Sequence, residues 1–234
     1  MMKTLRSNEI QIGDLQLRLL DDKALYLPDK QALLVSDVHL GKAEAFQSMG
    51  IPIASRMNEE NLDRLRSLCD QTNPKYLFVL GDLFHSKHSL VTDVLADWDT
   101  FLRQLKADVT LIVGNHDRNL VSALPPLPMD CQLEAVRLGP FLLSHEPAVN
   151  HAAELNICGH IHPVVKLRSP TDSLRLPCFF LEHDQKRLTL PSFGEFTGGY
   201  EVTLGGNTCA YVACEGDAIS FTKAGPRSTG NSPV

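Results

Sequence analysis

Hydrophobic residues recur at every second position near the start of the chain: Ile10 and Ile12, then Leu15, Leu17 and Leu19, then Leu25 and Leu27. Period two marks strands with one buried face. Gly13-Asp14 and Asp21-Asp22 separate the groups as turn signals. Ala32-Leu33-Leu34-Val35 is apolar without alternation, as expected of a strand covered on both faces. The period then changes. Leu62, Leu65 and Leu68 share a helical face, and Asn58 with Glu59 and Glu60 suits a helix start, so a helix is expected from about Asn58 to Cys69. Tyr76 to Leu80 reads as a second buried strand. A helix from about Thr92 to Leu105 carries Leu95, Trp98, Phe101, Leu102 and Leu105, and Val109 to Val113 reads as a third strand.

Past residue 118, Pro125, Pro126 and Pro128 exclude a helix. Short strands are expected at Phe141-Leu142-Leu143 and Asn156-Ile157-Cys158, and further ones at Pro177 to Leu181, Thr208 to Cys214 and Ala218 to Thr222. The stretch 224–234 is rich in Gly, Pro and Ser and is expected to be disordered, leaving 1–223 as a single domain.

Polar residues sit where these strands end. Ser36-Asp37-Val38-His39, Gly81-Asp82 and Gly114-Asn115-His116-Asp117 follow the first three buried strands. Ser144-His145-Glu146 and Gly159-His160-Ile161-His162 follow the two short ones. In open α/β sheets sites form at the C-terminal edge of the strands. Singly, an Asp after a strand is more often a turn former, and His88, His151 and His183, with no motif around them, read as surface or core residues. Five such segments in order share one economical purpose. Carboxylate, amide oxygen and imidazole together suit Mn²⁺, Fe²⁺ or Zn²⁺ and suit Ca²⁺ poorly. Two such ions about 3.5–4 Å apart can clamp the attacking and leaving oxygens of a phosphoryl displacement.

Composition narrows the picture only a little. The 43% hydrophobic and 21% charged residues are ordinary for a globular chain. A formal charge of −6 does not by itself draw the chain to nucleic acid, but two divalent ions would reverse the sign locally. The six cysteines form no CxxC pair, which excludes zinc-finger spacing. The first residues lack a continuous apolar stretch, and no apolar run approaches the roughly 20 residues of a membrane span. A cytoplasmic protein with reduced cysteines and no membrane association is expected.

The order Asp-x-His, Gly-Asp, Gly-Asn-His-Asp, His, Gly-His-x-His, from Asp37 to His162, resembles the signature of the calcineurin-like metallophosphoesterases. The resemblance implies an α/β fold, a four-layer α/β/β/α sandwich with a dimetal centre at its top. It implies Asp37, His39, Asp82 and His162 on one metal, and Asp82, Asn115, His145 and His160 on the other, with Asp82 bridging. Hydrolysis would proceed by attack of a hydroxide shared by the ions, a nucleophile available at neutral pH. His116 adjoins a ligand without being one, so its expected role is general acid to the leaving oxygen. Asp117 is expected to orient that imidazole, and Arg118 and Lys42 to contact a phosphate oxygen.

A narrower resemblance rests on Asp37-Val-His-Leu-Gly-Lys42, Gly81-Asp-Leu-Phe-His85, Gly-Asn-His-Asp-Arg118, Ser-His145-Glu-Pro147, Gly-His-Ile-His-Pro163 and Leu190-Pro-Ser-Phe-Gly-Glu-Phe-Thr-Gly-Gly199. These are similar to the PdeM-type, ligase-associated DNA damage response endonucleases. That implies a manganese-preferring phosphodiesterase acting on DNA, in functional association with a DNA ligase and helicase. A pyrophosphohydrolase of a nucleotide-linked lipid would share the centre but need an apolar cap, for which the proline-containing stretch from Asp117 to Leu142 leaves little room. A non-catalytic scaffold would have lost ligands, and here every ligand position is filled.

Overall fold

The computed structural model describes residues 8–53, 56–169, 171–195, 197–223 and 225–228. The period-two leucines become an antiparallel meander of β1 (Glu9–Ile12), β2 (Leu15–Leu20) and β3 (Ala24–Leu27), closed by β4 (Ala32–Val35). Parallel pairing needs a crossover. Helices α1 (Lys42–Ser48) and α2 (Met57–Thr72) carry the chain to β5 (Tyr76–Val79), and α3 (Thr92–Gln104) carries it to β6 (Asp108–Ile112) and on to β7 (Asp130–Gln132). The seven strands lie side by side in sequence order, with β4 to β7 parallel.

A second sheet starts with β8 (Val136–Leu138), β9 (Phe141–Leu143) and β10 (Leu155–Cys158). The hairpin β11 (Pro163–Arg168) and β12 (Ser173–Pro177) leaves it, and β13 (Phe179–Glu182) and β14 (Arg187–Thr189) return to it. After β15 (Tyr200–Glu201) come β16 (Thr208–Cys214), β17 (Asp217–Thr222) and β18 (Gly225–Ser228). The order in this eight-stranded sheet is β18-β17-β16-β13-β14-β10-β9-β8; β12-β11-β15 form a small third sheet.

The two large sheets pack face to face over Leu17, Leu25, Leu34 and Leu80 from one, and Leu143, Ile157, Phe179 and Leu188 from the other. The opposite face of the first sheet meets α2 and α3 through Leu62, Leu65, Trp98 and Phe101. In β4, Leu33 and Val35 face the helices while Ala32 and Leu34 face the second sheet, so the uninterrupted apolar run serves both cores. This is the expected α/β metallophosphoesterase sandwich, with one difference. The outer face of the second sheet, where a helical layer was expected, is covered among the described residues by Val165 of β11 and Val202 against Phe180, Ala210 and Phe221. Among the described residues the α-helices all lie between β4 and β6.

Local corrections follow from side-chain chemistry. Asn58 is not the helix cap: α2 starts at Met57 after Arg56. The buried Asn58 amide accepts from the Gly41 N–H at 2.9 Å and donates to Glu44 at 2.9 Å. Asn58→Ala would strand that buried N–H, a loss of about 1–3 kcal/mol. A lower urea midpoint with an unchanged slope would show it. The expected strand 177–181 is divided, β12 ending at Pro177 and β13 starting at Phe179. Within the tail expected to be disordered, residues 225–228 pair with β17, because an edge strand can be extended by backbone alone; 224 and 229–234 lie outside the described residues. All six cysteines are free thiols. Among the described residues no helix is long and apolar enough to cross a membrane.

Candidate metal centre

Two sets of parallel strands point their C-terminal ends at one place. In the first sheet β4, β5 and β6 run into Asp37, Asp82 and Asn115. In the second, β9 and β10 run into His145 and His160. The first two connections stay zipped beyond their strands: Asp37 N–H donates to Gly81 O at 3.0 Å, His39 N–H to Asp82 O at 2.9 Å, and Leu40 N–H to Leu83 O at 2.7 Å. Asp37, His39, Asp82, His160 and His162 all have left-handed backbones, with φ of +56, +53, +53, +73 and +50°. Asp and His tolerate this region better than most residues, yet such conformations persist only where surroundings impose them, and they cluster at functional sites.

Hydrogen bonds on the far side of the His145 and His162 rings fix which nitrogen faces inward. Nδ1 of His145 lies 2.9 Å from the Leu80 carbonyl, which only accepts, so Nδ1 donates there and Nε2 is the atom turned to the site. That Nε2 is 2.9 Å from Asn115 Oδ1, another acceptor. His160 Nδ1 joins them at 3.0 Å from Asn115 Oδ1 and 3.1 Å from His145 Nε2. On the other side, Nδ1 of His162 is 3.2 Å from the Gly198 carbonyl, turning Nε2 to within 3.1 Å of Asp37 Oδ1. Among the described residues neither of those two atoms has a hydrogen-bond partner, nor does His39 Nδ1, although all are buried.

Asp37, His39 and His162 bring ligand atoms within 4.8 Å of one another, and so do Asp37, Asp82 and His145. Asp82 stands between the clusters, its Oδ1 accepting from the His116 N–H at 2.9 Å and lying 3.6 Å from His145 Nε2. Burial pushes the His39 imidazole down to about 3, so it is neutral at physiological pH. Burial also raises the carboxyl of Asp82, with His145 opposing, which marks a negative charge that nearby protein groups do not fully compensate. Burial disfavours charge on His162, but Asp37 outweighs it and raises the pKa, drawing a positive charge to this spot. Converging imidazole, amide and carboxylate donors around the undercompensated Asp82 fit divalent Mn, Fe or Zn.

The glycine before His160 has a steric reason. A Cβ on Gly159 would lie 1.6 Å from Ser36 Oγ and 2.6 Å from Asp37 Oδ2. Those two oxygens are themselves hydrogen-bonded at 2.5 Å, and Asp37 Oδ2 also accepts from the His160 N–H at 3.1 Å. With Oδ2 so occupied, Oδ1 is left to face the ligands.

The remaining site residues fall out differently. His116 is partly exposed beside the cluster, with Nε2 3.9 Å from Asp82 Oδ2. Asp117 does not orient it. That carboxylate is buried and accepts from the backbone N–H groups of Leu83, Phe84 and Gly114 at 3.1–3.2 Å, tying together the loops that carry Asp82 and Asn115. The ring is held instead by the His85 carbonyl, 2.6 Å from His116 Nδ1. The His85 ring stacks on His116, and His39, His85 and His116 form a further close cluster. Its signal in the sequence was only its place three residues after Asp82. Arg118 is exposed and makes no ion pair among the described residues. Lys42 is buried at the start of α1, close enough to lower the pKa of His39 and His85.

Residues 31–160 match the family model described as calcineurin-like phosphoesterase. Among solved structures, a nuclease of Pseudomonas putida, MPE, is 37% identical, with a TM-score of 0.75 over 87% of this chain and 94% of that one. The Escherichia coli phosphoesterase YfcE is 17% identical over 82% of this chain and 88% of that one, with a TM-score of 0.40, a likeness too distant to bear on function. No curated protein matches.

Proposed function

Because this chain belongs to the calcineurin-like phosphoesterase family, we propose that it hydrolyses phosphodiester bonds in DNA at a centre of two divalent ions, Mn²⁺ ahead of Fe²⁺ or Zn²⁺. The observation that carries the reading is the convergence of metal-ligating atoms: His145, His160 and Asn115 in one cluster, His162 and Asp37 in the other, at distances of 2.9–3.1 Å. Asp37, His39, Asp82 and His162 would hold one ion, and Asp82, Asn115, His145 and His160 the other. Bound there, the pair supplies an activated water at neutral pH and positive charge for the phosphoryl group.

The chain's own residues do the rest. The His85 carbonyl accepts from His116 Nδ1–H, so a second proton, carried on Nε2 of the imidazolium, is the one His116 would deliver to the leaving oxygen, leaving the neutral Nδ1–H ring. Asp117 holds the two ligand loops in register. Arg118, exposed and two residues after His116 in the chain, and Lys42, whose charge is felt at His39 and His85, would supply positive charge to a phosphate oxygen. The DNA substrate is supported by the nuclease relative and by the motif resemblance through Leu190 to Gly199, which also favour a cytoplasmic repair role beside a DNA ligase and helicase.

The test is turnover by Mn²⁺-loaded protein of DNA, cyclic dinucleotides, nucleotide-linked lipid pyrophosphates and phosphomonoesters, side by side. Strand breaks in DNA at the highest kcat/KM are expected. Turnover confined to pyrophosphates or monoesters would overturn the substrate assignment.

A further inference from the structure

The segment from Leu190 to Gly199 contributes no proposed ligand, yet it touches both ends of one ligand cluster. It leaves the C-terminal end of β14, a strand parallel to β10, with Leu190 N–H donating to Cys158 O at 2.8 Å. It then crosses the turn that carries Asp37. Phe193 N–H donates to Ser36 O at 2.8 Å, Gly194 N–H to Asp37 O at 3.0 Å, and the buried Ser192 Oγ to Asp37 O at 2.9 Å. The approach is so close that a Cβ on Gly194 would lie 2.4 Å from the Val38 carbonyl oxygen. Farther along, the Gly198 carbonyl receives the His162 Nδ1–H at 3.2 Å, and Tyr200 N–H donates to His162 O at 3.0 Å. The same short segment therefore fixes the backbone under Asp37 and the ring orientation of His162.

Two charged side chains pin it from outside. Arg64, on α2, lies over the Phe193 ring at 4.3 Å, donates to the Phe193 carbonyl at 2.6 Å and pairs with Glu195. Lys23, from the β2–β3 turn, meets the same Glu195 oxygen at 2.9 Å. Burial disfavours charge on Glu195, but Lys23 and Arg64 prevail and hold its carboxyl below the usual range. A lone exposed ion pair is worth little, but a half-buried network centred on one carboxylate and an arginine with several contacts holds geometry.

We propose that Glu195, clamped by Arg64 and Lys23, is a positioning residue of the metal centre: it holds the 190–199 segment so that the Gly198 carbonyl presents His162 Nε2 toward Asp37. The proposal rests on the reading of His162 as a metal ligand. Groups that orient ligand histidines typically govern about 10–100-fold in metal affinity.

The test is Mn²⁺ titration by calorimetry, with electron paramagnetic resonance of the bound ions and urea unfolding of the metal-free proteins, for wild type, Glu195→Gln, Arg64→Lys and His162→Ala. Arg64→Lys keeps the charge but loses the planar stack and the paired hydrogen bonds. The expected result is that Glu195→Gln and Arg64→Lys each weaken one of the two ions by about tenfold. It should be the ion that His162→Ala weakens, with the other unchanged and the metal-free fold intact. If His162→Ala loses an ion while both clamp variants bind two with wild-type affinity, the clamp is refuted and the ligand reading stands. If His162→Ala itself binds both ions normally, that reading fails and the clamp with it. Equal weakening of both ions in the clamp variants would replace local positioning with general loosening and also overturn the proposal.

Discussion

Asp82→Asn is expected to lower kcat/KM by about 10³-fold or more, beyond the roughly 10²–10³-fold typical of removing one electrostatic donor. It should exceed the loss from replacing any single histidine of the centre. Asp82 is the carboxylate between the two ligand clusters, with Oδ1 3.6 Å from His145 Nε2 and Oδ2 3.9 Å from His116 Nε2. Only a group shared by both ions offsets their mutual repulsion as well as binding them. Asparagine keeps the shape and tolerates the left-handed backbone at φ +53°, so the fold should survive. The amide turns N–H hydrogens toward one cation and removes the charge. The check is turnover of a nitrophenyl phosphodiester together with metal content; near-normal values of both would show that the bridge is misassigned.

His116→Ala is expected to keep both ions and the fold while losing turnover by about 10²–10⁴-fold on DNA, the usual worth of general acid assistance. The imidazole is anchored through its Nδ1 contact to the His85 carbonyl at 2.6 Å and its stacking on the His85 ring, and is partly exposed, so its removal leaves no cavity in the core. The loss should depend on the leaving group. A nitrophenolate departs with little protonation and should suffer least; the alkoxide of a DNA strand should suffer most. An equal loss on both would instead make His116 a stabiliser of phosphoryl charge. Loss of an ion on mutation would make it a ligand.

Much of this site was legible because its chemistry is written at strand ends. The continuous apolar runs 32–35 and 76–80 and the run 109–113 became β4, β5 and β6 with little change, and the residues after them converge as the motif order implied. What escaped the sequence has a common cause: it depends on backbone atoms or short elements. Helix α1 has seven residues, and its buried face is made of Ala43, Ala45 and the stem of Lys42, too short and too weakly apolar for a periodic signal. β14 has three residues and β15 two, and the pairing of β18 requires no hydrophobic pattern. Asp117 looked like a partner for the neighbouring imidazole, yet its carboxylate turns inward to three amides; a carbonyl from the Asp82 loop took the orienting role. A carbonyl has no residue identity, so composition and spacing could not reveal it. The Glu195 clamp is hidden likewise, because Lys23, Arg64 and Glu195 lie far apart in sequence and meet only when the helical layer and the β2–β3 turn close on the loop after β14.

The central claim is that the two clusters around Asp82 hold two ions at once. Elemental analysis of protein reconstituted with excess Mn²⁺ and freed of unbound metal tests it most directly. The account predicts close to two manganese ions per chain, falling toward one in His162→Ala. A wild-type maximum of one per chain would contradict it.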